Sequence, residues 1–301
     1  MNPLKKLYNQ LPAGTRAAIR SWTPNPLKRW YAHRNTEVYL VSYPKCGRTW
    51  LRLMIGRALM QYFRLPEDGE TGFAEDMLFI RWKQKPHPQA PWITVIHEDR
   101  PMLKSPEELQ TSKVQYRDKR VIFLARDPRD VIVSSYFEMK NRGELFGENP
   151  YESRKAVFRG SLPEFIRRRE GGFETILSYY NIWAMNRAIP RGFLLVRYED
   201  MKADAQRELR RVVDFLGLEA IPDTILAEAV AYASFENMRK METQGRFASG
   251  MLKPADQSNQ ESYKTRKGQV RGFADHLDEA DVAYLNHLME EKLSNYFGYS
   301  S

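Results

Sequence analysis

Tyr43-Pro44-Lys45-Cys46-Gly47-Arg48-Thr49-Trp50 follows an apolar run, Val38-Tyr39-Leu40-Val41, and leads into a helical pattern from Leu51 to about Phe63. A strand that turns sharply into a helix leaves backbone N–H groups pointing out of the turn, and the positive end of the helix dipole adds to them. Such a junction is an anion site. Gly47 permits close backbone approach, Lys45 and Arg48 add positive charge, and Thr49 adds a hydroxyl. The residue order excludes a Walker A loop, in which the lysine follows the second glycine; here the lysine comes first. The stretch reads as a cradle for a phosphate or a similar oxyanion.

Outward from this loop the chain alternates. Short apolar strands are expected at 92–96, 121–124 and 193–196, and helices at 51–63, from Asp127-Pro128 onward, at 173–188, over 201–216 and at 278–293. Asp127 suits an N-cap, Pro128 the first helical turn, and Asp130 the positive end of the dipole. Strands alternating with helices predict an α/β fold, a parallel sheet with helices on both faces. Residues 64–76 read as an acidic loop, 141–151 as an exposed connection, and 242–272 as a long polar segment with no apolar period. No repeat or linker divides 37–301, so it is read as one domain.

The 301 residues are 42% hydrophobic and 28% charged, an ordinary globular composition, with a net charge of +9 and a pI near 9.4. An anionic partner is expected: a nucleotide, a nucleic acid or an anionic membrane. Cys46 is the only cysteine, which rules out an intrachain disulfide and suits a reducing compartment. No apolar run approaches the roughly 18 residues of a membrane span, and the N-terminus lacks a signal-like core. A soluble, cytoplasmic protein is the expectation. Residues 1–36 form a basic arm without an acidic residue. The arm reads either as a solvated face of the domain or as a contact for an anionic membrane or an acidic acceptor.

A second cradle is placed at the end of the third strand. Arg126 stands beside a helix N-terminus, where a guanidinium forks onto phosphate oxygens, and Ser134 lies about two turns further on. The bland alternative pairs Arg126 with Asp127 or Asp130 and lets Ser134 bond back to its own helix.

The loop resembles the Tyr-Pro-Lys-Ser-Gly-Thr-Thr-Trp loop of sulfotransferases that use 3′-phosphoadenylyl sulfate (PAPS), the loop that holds the 5′-phosphosulfate. Arg126 through Tyr136 is similar to the same family's 3′-phosphate motif, Arg-Asn-Pro-Lys-Asp followed by Val-x-Val-Ser-x-Tyr. Tyr198-Glu199-Asp200-Met201-Lys202 resembles its Tyr-Glu-Asp-Leu-Lys, and Ser234-Phe235-Glu236-Asn237-Met238 its Ser-Phe-x-x-Met. Arg266-Lys267-Gly268 resembles its late Arg-Lys-Gly. These motifs occur in family order over roughly residues 38–277. The resemblance implies a P-loop-NTPase-like sulfotransferase fold, PAPS as co-substrate and PAP as product. No metal is expected, because one cysteine and dispersed histidines form no ligand set. It places Lys45, Cys46, Gly47, Arg48 and Thr49 at the 5′ side, and Arg126, Ser134, Arg266, Lys267 and Gly268 at the 3′-phosphate. Trp50, Tyr198 and Phe235 fall around the nucleotide.

Sulfuryl transfer asks for an in-line acceptor, a stabilised leaving phosphate and a general base. Lys45 is the candidate for the leaving group. Among His33, His87, His97, His276 and His287, only His97 ends an expected parallel strand, where open sheets place their ligands; it also falls at the family's catalytic histidine. Pairing of His97 with Glu98 or Asp99 is the bland reading, and Glu98 is the rival base.

The chain departs from the family at Cys46, which replaces a serine, at Arg48, which replaces a threonine, and at Gln269–Phe273. A thiol among cations suggests a low-pKa, oxidisable group; the other reading, which leads, is a small side chain whose neighbouring amides do the binding. A dimer signature is absent near Leu277-Asp278-Glu279, so no oligomeric state is read. A kinase would need the Gly-Lys-Ser/Thr order and a magnesium-binding acid. A nucleic-acid module would need a continuous basic stripe with interleaved aromatics. The basic residues gather instead at strand–helix junctions and flexible segments, which argues against nucleic acid. Loops 64–90, 141–172 and 242–265 are expected to line the acceptor pocket, for a small molecule, a glycan or a lipid head group.

Overall fold

The computed structural model describes residues 32–66, 78, 80, 85–142, 158–247, 252–254 and 256–299. The chain divides into a unit Met1–Glu37 and a unit Val38–Ser301. In the first unit, Thr36 closes a short helical turn by donating its N–H and Oγ1–H to the Ala32 carbonyl at 3.0 and 2.7 Å. The rest of the basic arm lies outside the described residues, as do most of the loop expected at 64–76 and of the connection expected at 141–151.

Among the described residues of the second unit, β1 (Val38–Ser42), β2 (Ile93–Ile96), β3 (Arg120–Ala125) and β4 (Gly192–Arg197) form one parallel sheet in the order β2-β1-β3-β4. Val41 lies opposite Ile96 on one side and Phe123 on the other, and Ala125 lies opposite Arg197. β1 is buried along its whole length and β3 along nearly all of it, as central strands covered on both faces must be. The chain leaves β1 toward β2 and leaves β3 toward β4. Their connections therefore part at the carboxyl ends of β1 and β3, which opens a crevice there.

Phe123 anchors the aromatic face of the sheet. Its ring meets Tyr179, Tyr180 and Trp183 from helix α4 (Phe173–Met185), together with Phe193 and Phe297. Burial of a single such side chain is worth about 1.5–3 kcal/mol. The other helices are α1 (Arg48–Tyr62), α2 (Pro128–Arg142), α3 (Leu162–Arg167), α5 (Tyr198–Ala203), α6 (Ala205–Phe215), α7 (Asp223–Tyr232), α8 (Phe235–Thr243) and α9 (Glu279–Lys292).

Several expectations change. The single helix expected over 201–216 breaks at Asp204 (φ −153°), whose carboxylate caps α6 by accepting the Arg207 N–H at 2.9 Å. A short acid that captures a backbone donor starts a new helix in preference to continuing the old one. The sequence reading missed α3, which carries a legible signal: Ser161 and Glu164 form a reciprocal capping box. It also missed α7 and the helical nature of Ser234–Met238, where Ser234 caps α8. The segment 242–272 is not structureless throughout. Glu242, fully buried, accepts the N–H groups of Lys264 and Thr265 and the Thr265 hydroxyl. Hydrogen bonds to one carboxylate, in place of an apolar stripe, shape the approach to Arg266.

Candidate active site

The loop after β1 turns into α1 earlier than expected. Arg48, Thr49 and Trp50 form the first helical turn, because Gly47 caps the helix in the left-handed region (φ 89°). Among the described residues no protein acceptor meets the N–H groups of Gly47, Arg48 and Thr49, so they face the crevice as donors. A Cβ at Gly47 would lie 2.6 Å from Cδ2 of Tyr198. The glycine thus lets the tyrosine ring of α5 lie against the loop. Trp50 meets the same ring edge-on at 5.7 Å. The guanidinium of Arg48 has no carboxylate or hydrogen-bond partner among the described residues. Part of its surface is exposed, yet the protein packed around it pushes its pKa down to about 10.

Of the two readings of Cys46, burial favours the small core side chain over the reactive thiolate. Its side chain is fully buried, with Sγ 3.3 Å from the Tyr180 hydroxyl. Burial is the largest influence and pushes the thiol up to about 12. It is a core residue under the loop, and any ligand contact there falls to the backbone.

Tyr180 does work that sequence reasoning did not assign. Its hydroxyl donates to the Arg126 carbonyl (2.8 Å) and accepts the Arg126 N–H (3.0 Å), which brackets the end of β3 against Cys46. Glu199, next to Tyr198, accepts the Asp127 N–H at 2.9 Å and the Tyr299 hydroxyl at 2.9 Å. The start of α2 is thereby tied to the start of α5. Asp127 caps α2 as expected, accepting the Arg129 N–H at 2.9 Å.

Arg126 reaches the crevice. It donates to the carbonyls of Lys45 (3.4 Å) and Gln269 (2.9 Å), lies 4.4 Å over the Tyr198 ring, and keeps a buried Nε–H without a partner. It also pairs with Asp130 at 3.2 Å, so the bland pairing is present, inside the site and not away from it. Asp130 additionally accepts the N–H groups of Arg271 (3.0 Å) and Phe273 (2.9 Å). One carboxylate thus pins the late segment beside Arg126, a role its place in the first turn of α2 did not suggest.

That late segment carries three of the expected residues. Arg266 stacks 4.2 Å over Phe137, one turn after Ser134 on α2, and contacts Glu261 and His276 at 3.1 Å each. Ser134 is half-buried on that helix. Lys267 pairs with Asp275 at 2.9 Å. Gly268 sits at φ 62°, and a Cβ there would lie 2.7 Å from the Phe235 ring, which remains 40% exposed. Phe273 is buried, with the Arg129 guanidinium 4.7 Å from its ring centre.

His97 follows β2 and stands beside Ser42 at the end of β1. Its Nδ1 lies 2.9 Å from the Ser42 carbonyl oxygen. A carbonyl only accepts, so Nδ1 carries a proton, and in the neutral ring the lone pair then falls on Nε2. Glu98, the rival base, is turned into the core. It pairs with buried Lys113 at 2.7 Å and accepts from Tyr116 and Gln115, and burial pushes its pKa up against the pull of Lys113. Asp99 binds Lys104 and the Gln110 N–H. His87 stacks on Phe63, and His287 lies 3.4 Å from Glu291.

A family model described as the sulfotransferase domain matches residues 35–297. Cytosolic sulfotransferase 12 of Arabidopsis thaliana is 27% identical over 285 residues, covering 88% of this chain and 79% of the relative. Flavonol 3-sulfotransferase of Flaveria bidentis is 26% identical, covering 87% and 83%. In fold, the chain is similar to mouse sulfotransferase SULT7A1 complexed with PAP, with a TM-score of 0.56, 20% identity, and 86% and 84% of the two chains covered. It is also similar to retinol dehydratase in complex with retinol and PAP, with a TM-score of 0.57, 17% identity, and 87% and 82% covered. Among the described residues no helix is long and apolar enough to cross a membrane. With the family model matching nearly the whole of the second unit, the chain belongs to the sulfotransferase domain family, the PAPS-dependent sulfotransferases.

Proposed function

We propose that this enzyme moves the sulfuryl group of PAPS onto a hydroxyl or amine of a small-molecule, glycan or lipid acceptor, with His97 as general base and Lys45 at the leaving group. The residues present suit a donor that is anionic at both ends of its ribose. Three unengaged N–H groups and Arg48 form one cradle. Arg126, with its orphaned Nε–H, forms the other with Ser134, Arg266 and Lys267. Gly47 and Gly268 bring the loop and the late segment against the rings of Tyr198 and Phe235, which with Trp50 suit an adenine.

PAPS supplies an activated sulfuryl group on a phosphate leaving group. His97 Nε2 takes the acceptor's proton as the acceptor oxygen or nitrogen bonds to sulfur and the sulfur–oxygen bond to the phosphate breaks. The Lys45 ammonium meets the charge left on that phosphate. The observation that supports this reading is the Nδ1 contact to the Ser42 carbonyl, which in the neutral ring favours the lone pair on Nε2, the tautomer a general base there needs. The name of the flavonol relative favours a hydroxyl acceptor.

The test is transfer of labelled sulfate from PAPS to a panel of phenols, sterols, sugars and amines. His97→Ala is expected to lose about 10²–10⁴-fold in kcat, the usual scale of general-base catalysis. Full turnover by His97→Ala would remove the base assignment, and failure of the wild-type protein to bind PAPS would overturn the reading.

A further inference from the structure

Lys45 already has an anion. Its Nζ lies 2.8 Å from Oε2 of Glu138, and the two side chains are only 19% and 8% exposed. Glu138 stands on α2 four residues after Ser134, so it lies on the same helix face one turn further along. That face meets the crevice at two places: Phe137 carries the Arg266 guanidinium, and Glu138 carries the Lys45 ammonium. Lys45 itself sits at φ 74°, a left-handed conformation that is uncommon for a residue with a Cβ. The ammonium is thus aimed from both ends, by the turn of the loop and by the carboxylate.

A carboxylate beside the central cation of an anion cradle works against the anion that the cradle is built to hold. Any phosphate that reaches Lys45 also meets the charge of Glu138, in a half-buried setting where solvent screens poorly. If Lys45 needed only to attract an anion, a neutral neighbour would serve better.

We propose that Glu138 is a positioning residue for Lys45: it holds the ammonium in place while the enzyme is without cofactor, and it gives the ammonium up to the donor's phosphosulfate on binding. The proposal rests on the PAPS reading above. It has two consequences. Donor and product bind more weakly than the cations alone would allow, because each displaces an internal anion, and PAP therefore leaves more readily. Lys45 is also already ordered when the donor arrives, so less rotamer freedom is lost on binding.

The experiment is calorimetric titration of PAP into four proteins: wild type, Glu138→Gln, Lys45→Met and the double variant. Glu138→Gln keeps the shape and removes the charge. It is expected to bind PAP about tenfold tighter, the scale of one close charge pair at a partly buried site, and to lower KM for PAPS without raising kcat. The gain should shrink in high salt and should largely vanish in the Lys45→Met background, since the carboxylate then has no ammonium to hold. Glu138→Asp, which retains the charge, should stay near wild type. PAP binding by Glu138→Gln that is no tighter than wild type, or an equal gain with Lys45 removed, would overturn the proposal and leave the sulfotransferase reading intact. Absence of PAP binding by the wild-type protein would overturn both.

Discussion

Three cations of the second cradle each meet a carboxylate: Arg126 meets Asp130, Arg266 meets Glu261, and Lys267 meets Asp275. At the loop after β1, Lys45 has Glu138, while Arg48 has no partner among the described residues. The two regions also differ in how they are built. The loop is a single stretch, Tyr43 to Trp50, held by backbone conformation and by the rings packed on it. The other region joins residues more than a hundred positions apart, with Asp130 receiving the N–H groups of Arg271 and Phe273. Charge-assisted bonds to backbone groups tie the distant segments together; the contiguous loop takes its shape from its own backbone and can leave a guanidinium for the ligand. The loop should therefore fail through backbone strain and the assembled region through loss of charge.

The largest expected effect is at Gly47. An alanine there would take a φ of 89° and place its Cβ 2.6 Å from the Tyr198 ring. Left-handed strain and overpacking together should cost about 2–4 kcal/mol, measured as a lower urea midpoint together with loss of PAP binding. Gly245→Ala is the control: φ is 60° and nothing lies within 4 Å of the added Cβ, so only the backbone cost of about 1 kcal/mol should remain. Equal losses at the two glycines would break the claim that the loop depends on its close contact with Tyr198.

Arg126→Ala comes next. If Arg126 holds the 3′-phosphate as proposed, its removal is expected to weaken PAP about 100-fold, while adenosine 5′-phosphosulfate, which lacks the 3′-phosphate, should change little. Parallel titrations of the two nucleotides read the difference. A uniform loss on both would mean that Arg126 serves the loop through the Lys45 carbonyl and not a phosphate of its own.

Asp130→Asn should act through assembly. Weakened bonds to Arg271 and Phe273 are expected to raise hydrogen exchange at those two amides and to weaken PAP about tenfold, with the exchange of the β1 amides unchanged. Protection that persists at Arg271 and Phe273 would show that the late segment is held by something other than this carboxylate.

The smallest effect at neutral pH is at Cys46. A thiol pushed up to about 12 in the fold, from an ordinary value of 9.0, loses its proton first in the unfolded chain. The unfolded state then binds fewer protons, so stability falls as pH rises through the window from about 9 to about 12, by about 1.4 kcal/mol per unit. Cys46→Ser should remove that one-proton slope from pH-dependent unfolding. In the native wild-type protein at neutral pH, iodoacetamide should leave Cys46 unmodified.

Much of this molecule was legible in its residues. The apolar runs at 38–41 and 121–124 became the two central strands of one parallel sheet, because a strand covered on both faces has to be apolar throughout. The loop Tyr43–Trp50 and the Asp127-Pro128 helix start were equally legible, since each is a contiguous stretch whose backbone chemistry is local. Asp204 was not read as a break, because Met201 and Leu209 continue an apolar stripe across it and periodicity does not register a side chain that captures a backbone donor.

What only the tertiary structure decided is which side chains face one another. Residue type alone left Glu98 and His97 as rival bases; folding turned Glu98 onto Lys113 and left His97 against the Ser42 carbonyl. Cys46 among cations left a reactive thiol and a small packing side chain as alternatives, and burial under the loop favours the second. Glu138 carried no signal beyond its spacing from Ser134, yet it reaches Lys45 across 93 residues of chain. Backbone conformation and apolar periodicity act between near neighbours and are written along the chain; desolvation and charge pairing act through space, and their partners are known only once the chain has closed on itself.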